Sequence, residues 1–170
     1  MTRLVVFDLD EVLWTMPRGY CALLTPPLAR QKDLVRDSVG LELHLRPDAR
    51  STLQALAARG FLLSAASRSR PDVAAEVLKL LGLEHYFICP CLEWQDKHHS
   101  LVQILGDLQR QRGLRLSPSE VLFLDDWPEN VDDAARVGVR GLVFGRDIHS
   151  LSEILGYLEP SGELRAVRSV

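Results

Sequence analysis

Leu4-Val5-Val6-Phe7-Asp8-Leu9-Asp10-Glu11-Val12-Leu13 is the stretch from which the rest of the chain is read. Four consecutive apolar residues ahead of two acids mark a short buried strand that ends in charge. Residues i and i+2 of an extended chain point to the same side, so Asp8 and Asp10 share a face at a spacing of roughly 6.6 Å. Two carboxylates that close must be neutralised. A hard divalent cation does this, and so does a proton that lifts one of the two pKa values.

Further short apolar runs at 61–66, 86–89, 121–124 and 141–144 read as strands, separated by segments of helical period. The first helix is expected over 47–59, stopping at Gly60. The second is expected over 71–81, with Pro71 in the first turn and Gly82 past the end. A third spans 98–112 and a fourth 128–138, while a fifth opens at Ser150-Leu151-Ser152-Glu153 with capping-box spacing. Alternation of this kind implies an α/β fold: a Rossmann-like three-layer sandwich whose mostly parallel central sheet has helices on both faces, with a small or absent cap.

At 170 residues the chain is expected to form one domain, 1–170. Residues 15–45, with prolines at 17, 26 and 27, are too long for an ordinary connection and are expected to form a lid or insertion beside the site. Residues 161–170 hold little apolar content and are expected to be a mobile tail. Twenty Lys and Arg against 23 Asp and Glu leave a net charge of −3, which argues against nucleic acid as a partner. No apolar run reaches membrane-spanning length, and Met1-Thr2-Arg3 leads straight into the first strand, so a cytoplasmic protein is expected. Three cysteines, an odd number, fit reduced thiols, and Cys89-Pro90-Cys91 lacks the spacing of a zinc knuckle. The sequence names no oligomeric state.

In open parallel sheets ligands bind outside the carboxyl ends of the strands. Asp8 and Asp10 end the first strand, Ser67-Arg68-Ser69-Arg70 end the second, Lys97 follows the third and Asp125-Asp126 end the fourth. Acids, a hydroxyl and cations at one rim suit phosphoryl transfer, which needs a nucleophile, an acid and several groups holding the phosphoryl oxygens. Asp8 is the candidate nucleophile and Asp10 the candidate acid and base. Asp125 completes an oxygen-ligated Mg²⁺ site, and Ser67 and Lys97 hold phosphate.

The order Asp8-Leu9-Asp10-Glu11-Val12-Leu13, Ser67, Lys97, Asp125-Asp126 resembles the haloacid dehalogenase-like superfamily of aspartate-nucleophile phosphatases. Within it, Leu13-Trp14, Ala65-Ala66-Ser67-Arg68 and Asp125-Asp126 followed by Asn130 resemble the small magnesium-dependent phosphatase family. The resemblance covers roughly residues 3–145 and implies a Mg²⁺-dependent phosphatase with an aspartyl-phosphate intermediate. With 15–45 as the only sizeable insertion near the first motif, an open site is expected, one that admits a small phosphorylated metabolite such as a sugar phosphate or a phosphoprotein. The resemblance implies that Asp8 is both nucleophile and metal ligand, and that Asp10 adds a backbone carbonyl to the metal. Asp125 ligates, Asp126 ligates or orients a water, Ser67 and Lys97 grip phosphate, and Arg68, Leu9, Glu11 and Asn130 border the site. Glu11 departs from the family, which carries an uncharged residue there more often.

Two rival classes follow from the same residues. A phospho-accepting signalling module of the receiver kind also clusters Asp, Mg²⁺ and Lys, but carries its phosphorylated Asp at the end of strand three, where this chain has Cys89-Pro90-Cys91. A transferase that loads a phosphorylated three-carbon acid onto a carrier needs an acceptor thiol, for which Cys21 is the candidate. Trp14, Trp94 and Trp127 each follow a motif and are read as packing residues. The neighbours His98 and His99 are read as surface or capping residues that do not share a helix face.

Overall fold

Helices lie on opposite faces of the sheet because β1, Leu4–Phe7, divides its side chains by period two. Val5 and Phe7 enter one apolar cluster, while Leu4 and Val6 enter the other. In this computed structural model, which describes residues 1–17 and 19–158, the first cluster takes in α1 (Ala49–Ala58) and α2 (Pro71–Leu80). The second takes in α3 (Lys97–Arg112) and α4 (Pro128–Ala135).

The central sheet is parallel throughout. Its strands are β1, β6 (Leu62–Ala65), β7 (Val121–Asp125) and β8 (Arg140–Val143), in the order β6-β1-β7-β8. Phe7 lies opposite Ala65 on one side and Leu124 on the other, so the ends of three strands are level at one rim. Gly141 lets α4 approach β8 closely: a Cβ there would lie 2.6 Å from Val131 Cγ1. The three-layer α/β architecture expected from the alternation is present.

The run at 86–89 does not form a regular strand. Glu84–Tyr86 is a 3₁₀ turn, and beyond it only isolated bridges, Leu63 with Phe87 and Ala66 with Cys91, extend the sheet past β6. Cys89 adopts φ 48° and Pro90 has no N–H to donate, which breaks the ladder between Ile88 N–H and Cys91 N–H, both bonded to β6 carbonyls at 2.8 Å. The fifth helix is shorter than its opening signal suggests, a 3₁₀ turn Leu151–Glu153 followed by α5, Ile154–Tyr157.

Residues 15–45 carry a second, antiparallel sheet of order β2-β5-β4-β3, formed by Trp14–Thr15 (β2), Ala29–Gln31 (β3), Leu34–Arg36 (β4) and Glu42–Leu45 (β5). This small cap hangs between β1 and α1. Asp37 organises its turn, its carboxylate accepting N–H bonds from Thr25, Val39 and Leu41 at 2.7–3.0 Å. The tail expected over 161–170 lies outside the described residues.

Candidate active site

Asp8 follows the last residue of β1, and Asp125 is the last residue of β7 beside it. Asp8 N–H donates to the Leu124 carbonyl at 2.7 Å, which extends the strand pairing and sets the two carboxylates side by side. Lys97, the first residue of α3, comes in beneath them. Its Nζ lies 2.5 Å from Asp8 Oδ1, 2.5 Å from the Ala66 carbonyl and 3.2 Å from Asp125 Oδ2. Lys97 is 1% exposed and Asp125 0%, so the pair interactions act with little water between them. Burial alone disfavours the ammonium, but Asp8 and Asp125 outweigh it and raise the Lys97 pKa.

Asp125 is held by three further hydrogen bonds from two groups: Trp127 N–H to Oδ1 at 2.9 Å, and Asn130 Nδ2 to Oδ1 and Oδ2 at 2.9 and 3.1 Å. Asn130, expected at the border, therefore acts on Asp125 as well as lining the cavity. Asp126 makes no side-chain hydrogen bond among the described residues. One oxygen each of Asp8, Asp125 and Asp126 lies within 4.8 Å of the others. Three carboxylates so placed with one ammonium are short of positive charge. Desolvation, helped by Asp125, pushes Asp8 up to about 7 and Asp126 up to about 6.

Asp10 stands apart from that trio. Its Oδ1 accepts the Trp14 indole N–H at 2.8 Å and the Cys21 backbone N–H at 2.9 Å, so the cap orients it. Burial raises its pKa against the pull of these two bonds. Ser67 is buried, lines the same cavity, and its hydroxyl makes no protein hydrogen bond among the described residues. Arg68 reaches across to Gln95 O and Asp96 Oδ1, both at 3.0 Å. The cavity enclosed by these groups measures about 220 Å³.

Several expectations need correction. Leu9 does not border the cavity: it is fully buried in the core, as alternation between Asp8 and Asp10 demands. Trp14 is buried, but Trp94 and Trp127 are 75% and 55% exposed and line the cavity with Tyr20, so they do not pack in the core. Direction in a loop is invisible to periodicity, although an aromatic directly after an acidic motif was a signal at hand. His98 and His99 do meet, their ring centroids 3.9 Å apart, and His98 Nδ1 and N–H both bond Asp133, tying α3 to α4. Cys21 is fully buried and its thiol is pushed up to about 12 by burial and the nearby Asp10, so an acyl acceptor role has no reachable sulfur.

Solved structures share this fold, a parallel sheet with helices on both faces. A Listeria monocytogenes protein of uncharacterised function superposes with TM-score 0.65 at 19% identity, covering 100% of this chain and 85% of that one. A HAD phosphatase from Thermococcus onnurineus gives TM-score 0.54 at 22% identity, over 72% of this chain and 61% of that one. The phosphatase-domain part of a Bacteroides fragilis protein, complexed with Mg, gives 0.62 at 15% identity, over 99% of this chain and 42% of that one. Residues 1–149 match the Acid Phosphatase family. Human magnesium-dependent phosphatase 1 is 30% identical over 157 residues, 90% of this chain and 85% of its own. The chain belongs to the acid phosphatase family, alongside that magnesium-dependent relative.

Proposed function

We propose that the chain is a Mg²⁺-dependent phosphomonoester hydrolase that works through an aspartyl phosphate on Asp8. The convergence of the Asp8, Asp125 and Asp126 oxygens within 4.8 Å, against the single buried ammonium of Lys97, carries this reading. Oxygen-only donors with surplus negative charge fit Mg²⁺, and Asp126, free of protein partners among the described residues, is available to a ligand or its water. Asp8, Asp125 and Asp126 would hold the ion, with the Asp10 backbone carbonyl. When bound, Mg²⁺ neutralises the cluster and draws phosphoryl oxygens toward Asp8.

The chain's own groups do the rest. Lys97 fixes Asp8 Oδ1 and leaves Oδ2 without a protein partner among the described residues. An Asp8 oxygen attacks phosphorus while the bond to the leaving oxygen breaks. Asp10, whose pKa burial raises and which Trp14 and Cys21 aim, gives its proton to that oxygen. As a carboxylate it then takes a proton from the water that attacks the phosphorus of the acyl phosphate, which releases phosphate and restores Asp8. Ser67, Lys97 and Arg68 hold the phosphoryl oxygens. The substrate is a small phosphorylated metabolite or a phosphoprotein. A cytoplasmic location belongs to the same reading, supported by three free thiols; no helix among the described residues is long and apolar enough to cross a membrane.

The test is phosphate release from 4-nitrophenyl phosphate. EDTA should abolish it and added Mg²⁺ restore it, with a hydroxylamine-sensitive phosphate on Asp8 after a quench; undiminished release in EDTA would refute the reading.

Metal-free stability gives a second check. A carboxylate whose pKa is raised by folding stabilises the fold where it is protonated and loses that contribution as pH rises through the raised value. For Asp126 and Asp8 that window lies between about 4 and about 7. The gain in Tm on adding Mg²⁺ should therefore be small at pH 5 and grow through pH 8, because the ion binds the ionised cluster. A gain that does not change with pH contradicts the assignment.

A further inference from the structure

The cavity mouth carries groups that phosphoryl transfer leaves unused. Tyr20 comes from the cap, Trp94 from the loop before α3 and Trp127 from the turn before α4, and they are 54%, 75% and 55% exposed. Among the described residues, exposed large apolar side chains elsewhere are scattered aliphatics, whereas these three rings line one cavity. Glu11 joins them. It sits at φ 58°, a conformation costly for a residue with a Cβ, and the surroundings enforce it: its carbonyl accepts Arg46 Nη2 at 2.7 Å and its Oε1 accepts the Met16 N–H at 3.3 Å. The carboxylate is thus fixed beside the cavity, and it forms no ion pair among the described residues.

Asp8, Asp10, Glu11 and Asp126 line the cavity against Arg68 and Lys97. Three of the acids have work in the chemistry, and the two cations, which bond Asp8, Asp125 and Asp96, serve the phosphoryl oxygens. Glu11 is left over, and a carboxylate beside the entry of a phosphate dianion is unfavourable unless the rest of the substrate brings positive charge. Aromatic faces together with an anion are what a soft cation binds. A neutral sugar or aryl group would stack on the rings but gain nothing from Glu11. A primary ammonium would keep N–H bonds that ring faces satisfy poorly.

Resting on the phosphatase reading, we propose that the substrate is a small phosphomonoester whose leaving alcohol carries a quaternary ammonium, seated among Tyr20, Trp94 and Trp127 with Glu11 as its counter-charge. The cavity of about 220 Å³ is below the roughly 300 Å³ at which pockets for drug-sized ligands begin, in keeping with a small leaving group. Hydrolysis breaks the phosphorus–oxygen ester bond, and water supplies the proton of the freed alcohol and the oxygen of inorganic phosphate.

Three substrates separate charge from shape in the full chain with saturating Mg²⁺: phosphocholine, its uncharged isostere 3,3-dimethylbutyl phosphate, and 4-nitrophenyl phosphate. The kcat/KM for phosphocholine should exceed that for the isostere by about tenfold or more. Glu11→Gln and Trp94→Leu should each bring that ratio toward one; Trp94 is exposed, so its loss leaves the core intact. Equal rates for phosphocholine and the isostere, no turnover of either while the aryl ester is hydrolysed, or a ratio untouched by both variants would overturn the cation site. Failure on the aryl ester as well would overturn the phosphatase reading with it.

Discussion

Asp8→Asn is expected to lower kcat for phosphate release by about 10⁴-fold or more, the scale on which loss of an attacking group shows when its partners remain. The amide keeps the shape and still offers an oxygen to Lys97, so substrate binding should suffer far less than turnover. The fold should survive. Lys97 retains Asp125 at 3.2 Å and the Ala66 carbonyl at 2.5 Å, and removing Asp8 takes one buried carboxylate out of a cluster already short of positive charge. Without Mg²⁺ the variant should therefore melt at or above the wild-type temperature near pH 8, where Asp8 is ionised, and show a smaller gain from Mg²⁺. Calorimetry with and without the ion checks both statements, and a variant retaining a tenth of the wild-type kcat would remove Asp8 from the role of nucleophile.

That an inactive variant should fold well follows from where the site is built. β1 and β7 place Asp8 and Asp125 through a ladder of backbone bonds that involves neither side chain, and the apolar residues preceding each acid lie in two cores already complete. Because the sheet stops where the charges begin, this part of the site was legible in the sequence: Asp8, Ser67 and Asp125 all stand at apolar-to-polar transitions, whereas Lys97 sits in a polar run and was placed by its order in the series. Periodicity reports burial, and the end of burial marks the rim.

What the sequence hid has a different physical origin. β3 and β4 are three residues each, and all of Ala29–Gln31 is exposed, so no alternation marks the cap sheet; its register comes from pairing with Glu42–Leu45 and from the turn closed by Asp37. At 86–89 the apolar, aromatic composition suits a strand, but the left-handed Cys89 and the missing N–H of Pro90 decide otherwise. Trp94 and Trp127 belong to loops, where a side chain's direction is fixed by the tertiary path alone. The contrast with Trp14 is instructive. Its indole is buried because it has a carboxylate to bond, Asp10, while the other two are left facing the cavity.

Lys97→Met tests the element on which the cluster leans most. Methionine fills a comparable volume, so packing near Phe123, whose ring centroid is 5.5 Å from Nζ, should be largely kept. Charge is not kept. Asp8 and Asp125 would face each other in the interior with no cation, and breaking a buried pair in this way costs about 3–5 kcal/mol. The loss should be largest in metal-free protein at pH 8. It should shrink near pH 5, since Asp8, already pushed up to about 7, takes a proton more easily still once the ammonium is gone. Mg²⁺ should restore part of the stability, because its charge falls on the same carboxylates, but not the rate: a lost donor to the phosphoryl oxygens costs a further 10²–10³ or so in kcat. Urea midpoints at the two pH values, with and without Mg²⁺, separate these effects. If the variant matches wild type in metal-free urea at pH 8, the ammonium is not what holds the two acids together, and its place beneath them serves the substrate alone.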